Sequence, residues 1–479
     1  MKKWFLILFV LIGSAFCFVG CTKTEPQRNE YDIVASFDAE KETLSCTQKM
    51  IYFNSSSDSL EKLEMFLYAN SFADTKNNAS KANFEKVYEW GESYGDITIK
   101  SILMGKTELL FSVNEEGNIL TIDLPEKLAP QKRMSLQMDF EVHLAHINHR
   151  LGFGDSTINL GSVFPVFCVY DDGFVENHFV PNGDPFYSDI SNYVVEFYYP
   201  ENYVLACCGN VVANKNGYAK IVAKNVRDFC LVLSAEFDVI SASANGVQVN
   251  YFFYDDENAE QHLGTAVKAI KFFSETFGDY DYGQLSVVKC DFCFGGMEYP
   301  NLVMISDAIA DDLTYNYVIV HEIAHQWWYG MVGNNEFEEG WLDESLTEYS
   351  SALFFEEFDE YGLKYDTIIS NAHESYKQFV EVYSHVFGQV DERMLRVLNE
   401  FETEPEYVNC VYTKGVLLYD SLREMLGKRR FEKCVKTYFK RYKCKNAKTE
   451  DLVSVFCDTS KCKLSSFFES WISGKVVIT

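Results

Sequence analysis

Residues 317–325 read Tyr-Val-Ile-Val-His-Glu-Ile-Ala-His, and this stretch decides the fold of the second half of the chain. His321 and His325 stand four positions apart, so on a helix they lie on one face, one turn from each other. Both imidazoles then reach one metal ion at about 2.0–2.1 Å, the distance that zinc prefers for nitrogen ligands. Glu322 lies beside the metal, where a carboxylate takes a proton from bound water. The apolar flanks predict a buried helix, and burying these side chains without a partner would be costly.

A third metal ligand has to come from elsewhere in the chain. Glu344 is the candidate, because it follows His325 after an interval of residues 326–343. Three protein ligands with one open position are typical of a catalytic zinc, although cobalt or manganese tolerate the same ligands. Glu348 lies one helical turn beyond Glu344, and we expect Glu348 or Asp343 to support a ligating histidine, with a solvent-facing acid as the alternative. The sequence thus predicts one zinc ion per chain.

Three separated motifs carry a resemblance to a known family. The two histidines, Glu322 and Glu344, with the same interval, match the zinc signature of the aminopeptidase N type of metallo-aminopeptidase, a gluzincin family. Residues 295–299 (Gly-Gly-Met-Glu-Tyr) resemble the family's GxMEN motif, and residues 412–415 resemble the segment with its catalytic tyrosine. Residues 164–173 and 183–188 are similar to parts of its amino-terminal domain. The predicted substrate-binding residues are Gly295, Gly296, Met297 and Glu298.

The resemblance implies a zinc-dependent aminopeptidase that removes amino-terminal residues from peptides. Glu322 would act as general base and then general acid, and Tyr412 would stabilise the oxyanion of the tetrahedral intermediate. Glu298 would bind the free α-ammonium of the substrate. Tyr299 replaces the usual asparagine of the motif, which puts the fine positioning of the substrate in question. The alternatives are a non-catalytic peptide-binding lipoprotein on a peptidase fold, and an endopeptidase.

The amino terminus predicts export. Lys2 and Lys3 precede an apolar run that ends at Gly20-Cys21, a pattern that resembles a bacterial lipobox. We therefore predict a signal peptide over residues 1–20, lipidation of Cys21, and an extracytoplasmic, membrane-tethered lipoprotein. An uncleaved anchor, or ordinary cleavage near Cys21 with secretion, is the alternative.

Composition restricts the classes of partner, but it does not decide the oxidation state of the cysteines. The formal net charge of −29 repels nucleic acid and anionic lipid, so no nucleic-acid partner is expected. The 14 cysteines are compatible with buried thiols or with disulfides in an oxidising compartment. Peptides with free amino termini are the expected partners.

The predicted fold class is multidomain α+β. A polar tether over residues 21–30 precedes an all-β domain, 31–245, in which short alternating runs favour an antiparallel sandwich or saddle-shaped sheet. The resemblance implies a mostly helical, thermolysin-like zinc peptidase domain over 246–479, with the motif of residues 295–299 on an edge strand. Larger members of the family carry further domains over the site, so we expect a more open cleft here or a lid from a partner subunit. Helical patterns cover 266–277, 346–358 and 414–426.

Overall fold

The computed structural model describes residues 27–476 and residue 478. The predicted leader, Cys21 and most of the tether lie outside the described residues, so lipidation stays a prediction. Within the described part of the chain, no helix combines the length and the apolar character needed to cross a membrane.

The first half of the chain consists of strands on which buried and exposed side chains alternate, so that each sheet turns one face to the core. In chain order the elements are β1 (Asn29–Asp38), β2 (Thr43–Phe53), β3 (Leu60–Phe66), α1 (Phe84–Val87), β4 (Asp96–Met104), β5 (Thr107–Glu108), β6 (Phe111–Val113), β7 (Ile119–Leu128), β8 (Arg133–His143), β9 (Leu151–Phe153), β10 (Ile158–Gly161), β11 (Val166–Phe167), β12 (Ser191–Tyr198), β13 (Val204–Cys207), β14 (Asn210–Asn214), β15 (Tyr218–Val226) and β16 (Cys230–Ser234), with 3₁₀ turns at Tyr68–Ala73 and Thr75–Asn77.

These strands form three sheets. The largest has the order β14-β15-β12-β1-β2-β8-β4-β5, and two four-stranded sheets have the orders β13-β16-β10-β9 and β11-β3-β7-β6. The predicted multi-sheet β domain is confirmed. The expectation of a purely antiparallel arrangement is wrong at one place, because β1 runs parallel to β12. A parallel neighbour needs a long crossover, and here the chain forms β2 to β11 before it returns as β12.

A fourth sheet begins the second half, with one helix between its strands. The elements are β17 (Asp238–Ala244), β18 (Val247–Phe253), α2 (Ala259–Thr276), β19 (Gln284–Cys290), β20 (Gly296–Met297) and β21 (Leu302–Ser306). The sheet has the order β17-β18-β19-β21-β20, so β20 with its glycine motif lies at the edge, as predicted. The predicted domain boundary at 245/246 falls at the tip of the β17–β18 hairpin.

Helices make up most of the remaining chain, which confirms the predicted helical domain. They are α3 (Asp312–Ala324), α4 (Glu336–Glu339), α5 (Trp341–Glu357), α6 (Tyr365–Phe387), α7 (Glu404–Tyr407), α8 (Lys414–Leu426), α9 (Lys428–Tyr442), α10 (Thr449–Ser460) and α11 (Ser465–Ile472), with the short strands β22 (Val332–Gly333) and β23 (Lys445–Asn446), 3₁₀ turns at Asp359–Tyr361 and Leu398–Glu400, and a π-helical turn at Val408–Thr413. The three helices predicted from the sequence correspond to α2, α5 and α8, and the first two begin earlier than the apolar pattern does.

The cysteines that the sequence left undecided are free thiols throughout the described residues. Most of them are buried in the packed interior, where burial raises the pKa of thiols such as Cys46 and Cys230. They are therefore core residues rather than reactive ones.

Candidate metal centre and active site

Two helices bring the three predicted metal ligands together. His321 lies in α3 and His325 immediately after it, while Glu344 lies in the first turn of α5. Their ligand atoms all lie within 4.8 Å of one another. The Nε2 atom of His325 is 3.2 Å from that of His321 and 3.1 Å from Glu344 Oε2. Two imidazole nitrogens and a carboxylate oxygen that converge in this way are the donor set of a zinc site with an open position.

The outward-facing nitrogen of each histidine also has a partner. His321 Nδ1 lies 2.8 Å from Glu348 Oε2, and Tyr317 donates a hydrogen bond to the other oxygen of Glu348 at 2.6 Å. His325 Nδ1 lies 3.0 Å from the carbonyl oxygen of Trp328. These contacts leave the Nε2 atoms facing each other and orient both rings towards a common ion. Of the two acids considered from the sequence, Glu348 is the supporting carboxylate.

Asp343, the other acid, does not hydrogen-bond to a histidine, although one of its carboxylate oxygens lies within 4.8 Å of ligand atoms of His325 and Glu298. It accepts a hydrogen bond from Asn334 Nδ2 at 2.8 Å rather than from a ligating histidine. Asp343 precedes Glu344 by one residue, so on α5 its side chain is turned about 100° away, whereas Glu348 lies one turn on along the same face.

Glu322 is buried beside the histidines and lacks a protein partner at Oε2. Burial raises the pKa of its carboxyl to about 7, while the neighbouring histidines act to lower it. Gly296 on the edge strand lies directly against this carboxylate, and a Cβ atom at position 296 would overlap Glu322 Oε1. Glycine is therefore needed at position 296 because the backbone lies against Glu322. The spacing of the sequence motifs did not indicate this contact.

Glu298 follows the same edge strand and points to the metal centre. Its side chain is only 3% exposed, and its Oε1 atom has no hydrogen-bond partner. Carboxylate oxygens of Glu298, Asp184 and Glu344 lie within 4.8 Å of one another. Burial raises the pKa of Glu298 well above its usual range. A buried carboxylate with an unused oxygen is the feature that a cationic ligand would satisfy.

The backbone around Glu298 is held by Gln326, a residue that the sequence analysis did not single out. Gln326 Nε2 donates to the carbonyl of Tyr299 at 3.1 Å, and its Oε1 accepts from the amide of Asn301 at 2.7 Å. Gln326 directly follows His325 and is fully buried. In the sequence, the one indication of this role was a polar residue in a segment that is otherwise apolar and aromatic.

Tyr299, where the sequence departs from the family motif, faces the first half of the chain. Its hydroxyl lies 3.4 Å from Ser162 Oγ, and its ring fills the space that a Cβ atom on Gly161 would need. Tyr299 is thus a packing residue between the two halves, and its side chain does not enter the cleft.

Tyr412 reaches the metal centre from the π-helical turn between α7 and α8. Its hydroxyl donates a hydrogen bond to Glu344 Oε1, and its ring lies 5.9 Å from the ring of His321. Burial raises the pKa of Tyr412, so the phenol is neutral. The carbonyl of Val411 accepts a hydrogen bond from Ser345 Oγ at 2.6 Å. Such turns often mark functional sites, and this one sets Tyr412 against the metal ligand.

A cleft of about 470 Å³ opens onto these residues, and both halves of the chain line it. From the first half, Arg150 and Asp184 form an ion pair, and the Arg150 guanidinium lies 5.2 Å from the ring of Phe186. From the second half, Tyr407 joins His321 and the residues already described. Asp184 lies in a stretch that was notable in the sequence only for its family resemblance. No pattern in the sequence indicated Arg150 or Tyr407.

The fold and the donor set together define a class of protein in which a β domain precedes a helical domain with an HExxH zinc centre. Comparison with known proteins makes the class specific. Residues 261–471 match the Peptidase family M1 domain, and the chain therefore contains an M1 peptidase domain in its second half. The aminopeptidase N resemblance seen in the sequence is confirmed at the level of this family.

Individual relatives agree with this assignment. Endoplasmic reticulum aminopeptidase 2 of Homo sapiens is 24% identical over 247 residues, 47% of this chain and 24% of that protein. Aminopeptidase B of Mus musculus is 28% identical over 210 residues, 42% of this chain and 31% of that protein. The matched stretch thus spans about a quarter to a third of these relatives.

Among solved structures, the M1 zinc metallopeptidase from Deinococcus radiodurans superposes with a TM-score of 0.65 at 16% identity, covering 94% of each chain. At this identity the likeness establishes the fold. The two-domain fold of that structure accordingly extends over nearly the whole chain, including the β domain that the family match leaves out.

Proposed function

We propose that this protein is a zinc-dependent aminopeptidase. The observation that carries the proposal is Glu298, a buried carboxylate with an unused oxygen, set beside a complete zinc ligand set. The M1 domain match and the aminopeptidase relatives support the same reaction class.

The metal centre would be formed by His321, His325 and Glu344. A zinc ion bound there would supply Lewis acidity and would lower the pKa of water towards about 7. Glu322 would accept a proton from the attacking water and later return it to the leaving amine. Its raised pKa suits both steps, because a group that titrates near neutral pH accepts and returns a proton readily.

Tyr412 would stabilise the negative charge on the oxygen of the tetrahedral intermediate. Its phenol is neutral and has one proton, which it donates to Glu344 in this structure. To stabilise the oxyanion, the hydroxyl would turn this single donor from Glu344 to the substrate oxygen, while its ring stays in place beside His321.

Glu298 would bind the α-ammonium of the substrate. A mid-chain amide placed there would leave the buried carboxylate without a cation, which is costly, so endopeptidase activity is disfavoured. This selection at one end of the peptide makes the enzyme release one residue at a time.

The test compares a short peptide that has a free amino terminus with the same peptide after N-acetylation, using zinc-loaded protein. We expect release of the first residue from the free peptide only, and loss of that activity after chelation with recovery on adding zinc. Equal cleavage of both peptides would indicate an endopeptidase. Failure to cleave either one, with zinc bound, would instead favour a peptide-binding lipoprotein.

The location of the enzyme is a separate proposal. We infer that Cys21 carries lipid and tethers the enzyme to the outer side of a membrane, because Gly20-Cys21 ends a short apolar run behind two lysines. Intact-mass measurement of the full chain should find Cys21 as the lipidated first residue. A mature chain without lipid would instead indicate secretion, and an intact leader would indicate an uncleaved anchor.

A lid from a partner subunit is a further part of the proposal, and size-exclusion chromatography of the detergent-solubilised protein tests it.

A further inference from the structure

Glu336 is a buried acid with no assigned task. It opens the short helix α4, its side chain is only 2% exposed, and neither carboxylate oxygen has a hydrogen-bond partner. Buried ionisable groups are almost always hydrogen-bonded or paired, so an acid with two unused oxygens calls for an explanation. A ligand that is bound only during the reaction is one explanation.

The other acids around the metal centre have partners. Asp184 pairs with Arg150, Asp343 accepts from Asn334, and Glu348 contacts Tyr317 and His321. Glu344 belongs to the metal ligand set, Glu322 is the base, and Glu298 is assigned to the α-ammonium. Among the described acids of this cluster, Glu336 is the one with neither a hydrogen-bond partner nor a role in the proposed reaction.

The position of Glu336 places it just behind the wall of the cleft. Its backbone amide donates to the carbonyl of Phe186 at 3.2 Å, and Phe186 lines the cleft. One turn further along, a Cβ atom on Gly340 would lie 3.1 Å from the hydroxyl of Tyr407, another lining residue. Gly340 therefore allows Tyr407 to pack directly against α4, so α4 contacts the residues of the cleft wall at Phe186 and at Tyr407, while Glu336 itself does not line the cleft.

The charge around Glu336 favours a cation. Asp343, Glu298, Asp184 and Glu344 are the charged groups that act on it most strongly, and all four are acids. The nearby guanidinium of Arg150 is already engaged by Asp184. Because charges interact strongly where water is excluded, a second positive charge on the substrate would be stabilised here in addition to its α-ammonium.

We propose that Glu336 binds the side-chain cation of a lysine or arginine at the first position of the substrate. The enzyme then prefers peptides with a basic amino-terminal residue. Glu336 does not itself line the cleft, so the proposal requires the long, flexible basic side chain to pass between Phe186 and Tyr407, which a short side chain could not do. This proposal rests on the proposed function, since it concerns the same cleft and the same reaction.

The test compares two amino-acyl amides of nearly equal length, one of lysine and one of norleucine, which lacks the charge. For the zinc-loaded protein we expect kcat/KM for lysine to exceed that for norleucine by at least about 10-fold, because loss of the cation leaves the buried acid unpaired. In Glu336→Gln this ratio should fall at least about 10-fold. Glu338→Gln, an exposed acid on the same helix, is the matched control and should keep the wild-type ratio.

The outcomes separate this proposal from the one on which it depends. Equal kcat/KM for the two amides in the wild type, or an unchanged ratio in Glu336→Gln, would overturn the role of Glu336 and leave the aminopeptidase intact. Hydrolysis of neither amide would overturn the proposed function itself. If Glu336→Gln does not fold, competition on the wild type decides, because lysinamide should then inhibit at least about 10-fold more strongly than norleucinamide.

Discussion

The two walls of the cleft differ in how their residues are brought together. On the metal side, the predicted ligands and the proposed base come from α3, the residue that follows it, and α5. On the opposite side, Arg150 and Asp184 come from two segments of the β domain outside its strands, and an ion pair joins them. Helical periodicity determines the first set, and tertiary packing determines the second.

The two walls also differ in the groups that they contribute. The metal side holds the predicted zinc ligands and the proposed base, and hydrogen bonds between α3 and α5 connect them. The β-domain side contributes a charged pair and an aromatic ring to the lining of the cleft. We therefore expect substitutions on the metal side to reduce kcat and substitutions on the other side to affect folding or substrate preference.

The largest effect should come from Glu322→Gln on the metal side. Removing the base should lower kcat on a free peptide by about 10⁴-fold, the upper end for general acid–base catalysis, while zinc remains bound. Steady-state kinetics and metal analysis of the same preparation measure both. Activity within about 10-fold of the wild type would show that another group takes the proton. The metal side would then lack its proposed base.

Tyr412→Phe should have the next largest effect. Loss of one donor to the oxyanion typically lowers kcat by about 10²–10³-fold, and KM should change little because the contact forms in the transition state. Tyr419→Phe is the control, since that hydroxyl lies on α8 and has no partner. An equal loss in both variants would point to disturbed packing of α8 rather than to catalysis.

Glu348→Gln should act through the metal. A carboxylate that supports a ligating histidine usually contributes about 10–100-fold to metal affinity, so zinc should be lost to a competing chelator at correspondingly lower chelator concentration. Glu357→Gln, at an exposed position of the same helix, should bind zinc as the wild type does. If Glu348→Gln binds zinc with wild-type affinity, Glu348 does not support the metal site, and only the three ligands and the base act there.

Arg150→Met tests the β-domain side. It leaves Asp184 without its partner in a mostly buried place, so the free energy of unfolding should fall by about 2–3 kcal/mol, less than the 3–5 kcal/mol of a fully buried pair. The kcat of the folded, zinc-loaded enzyme should change less than about 10-fold, because no reacting atom is touched. Urea unfolding of this variant and of Arg150→Met with Asp184→Asn completes the test: the double variant should recover part of the loss. If it does not, the ion pair is not what stabilises this wall.

The smallest effect is expected from Tyr299→Phe. The hydroxyl makes one long contact, to Ser162, so its loss should cost no more than about 1 kcal/mol of stability and leave kcat unchanged. Tyr299→Asn, which restores the usual residue of the family motif, should instead cost about 3 kcal/mol by leaving a cavity beneath Gly161. Thermal unfolding distinguishes the two. A large loss of kcat in Tyr299→Phe would instead indicate that this residue helps to position the substrate.

Much of the fold and the metal ligands could be predicted from the sequence because the signals are local. Alternating apolar residues indicate the strands of the first half, and His321, His325 and Glu344 follow a spacing that helix geometry makes meaningful. Glu298 and Tyr412 needed the family resemblance, because a glycine-flanked acid and one tyrosine among 30 carry no local signal of their own.

Other features could not be read from the sequence because they depend on contacts between distant segments. Residues 150 and 184 meet across a loop of the β domain, and α4 lies behind Tyr407 only after the helices have packed. The parallel pairing of β1 with β12 joins strands more than a hundred residues apart. Neither periodicity nor composition specifies such pairs.

The contact between Gly296 and Glu322 makes the edge strand part of the proposed base. The backbone can lie this close to the carboxylate only because residue 296 is glycine, since a Cβ atom there would overlap Glu322 Oε1. In the proposed reaction the same stretch of chain carries Glu298, so one piece of backbone would set both the position of the substrate's amine and the position of the base.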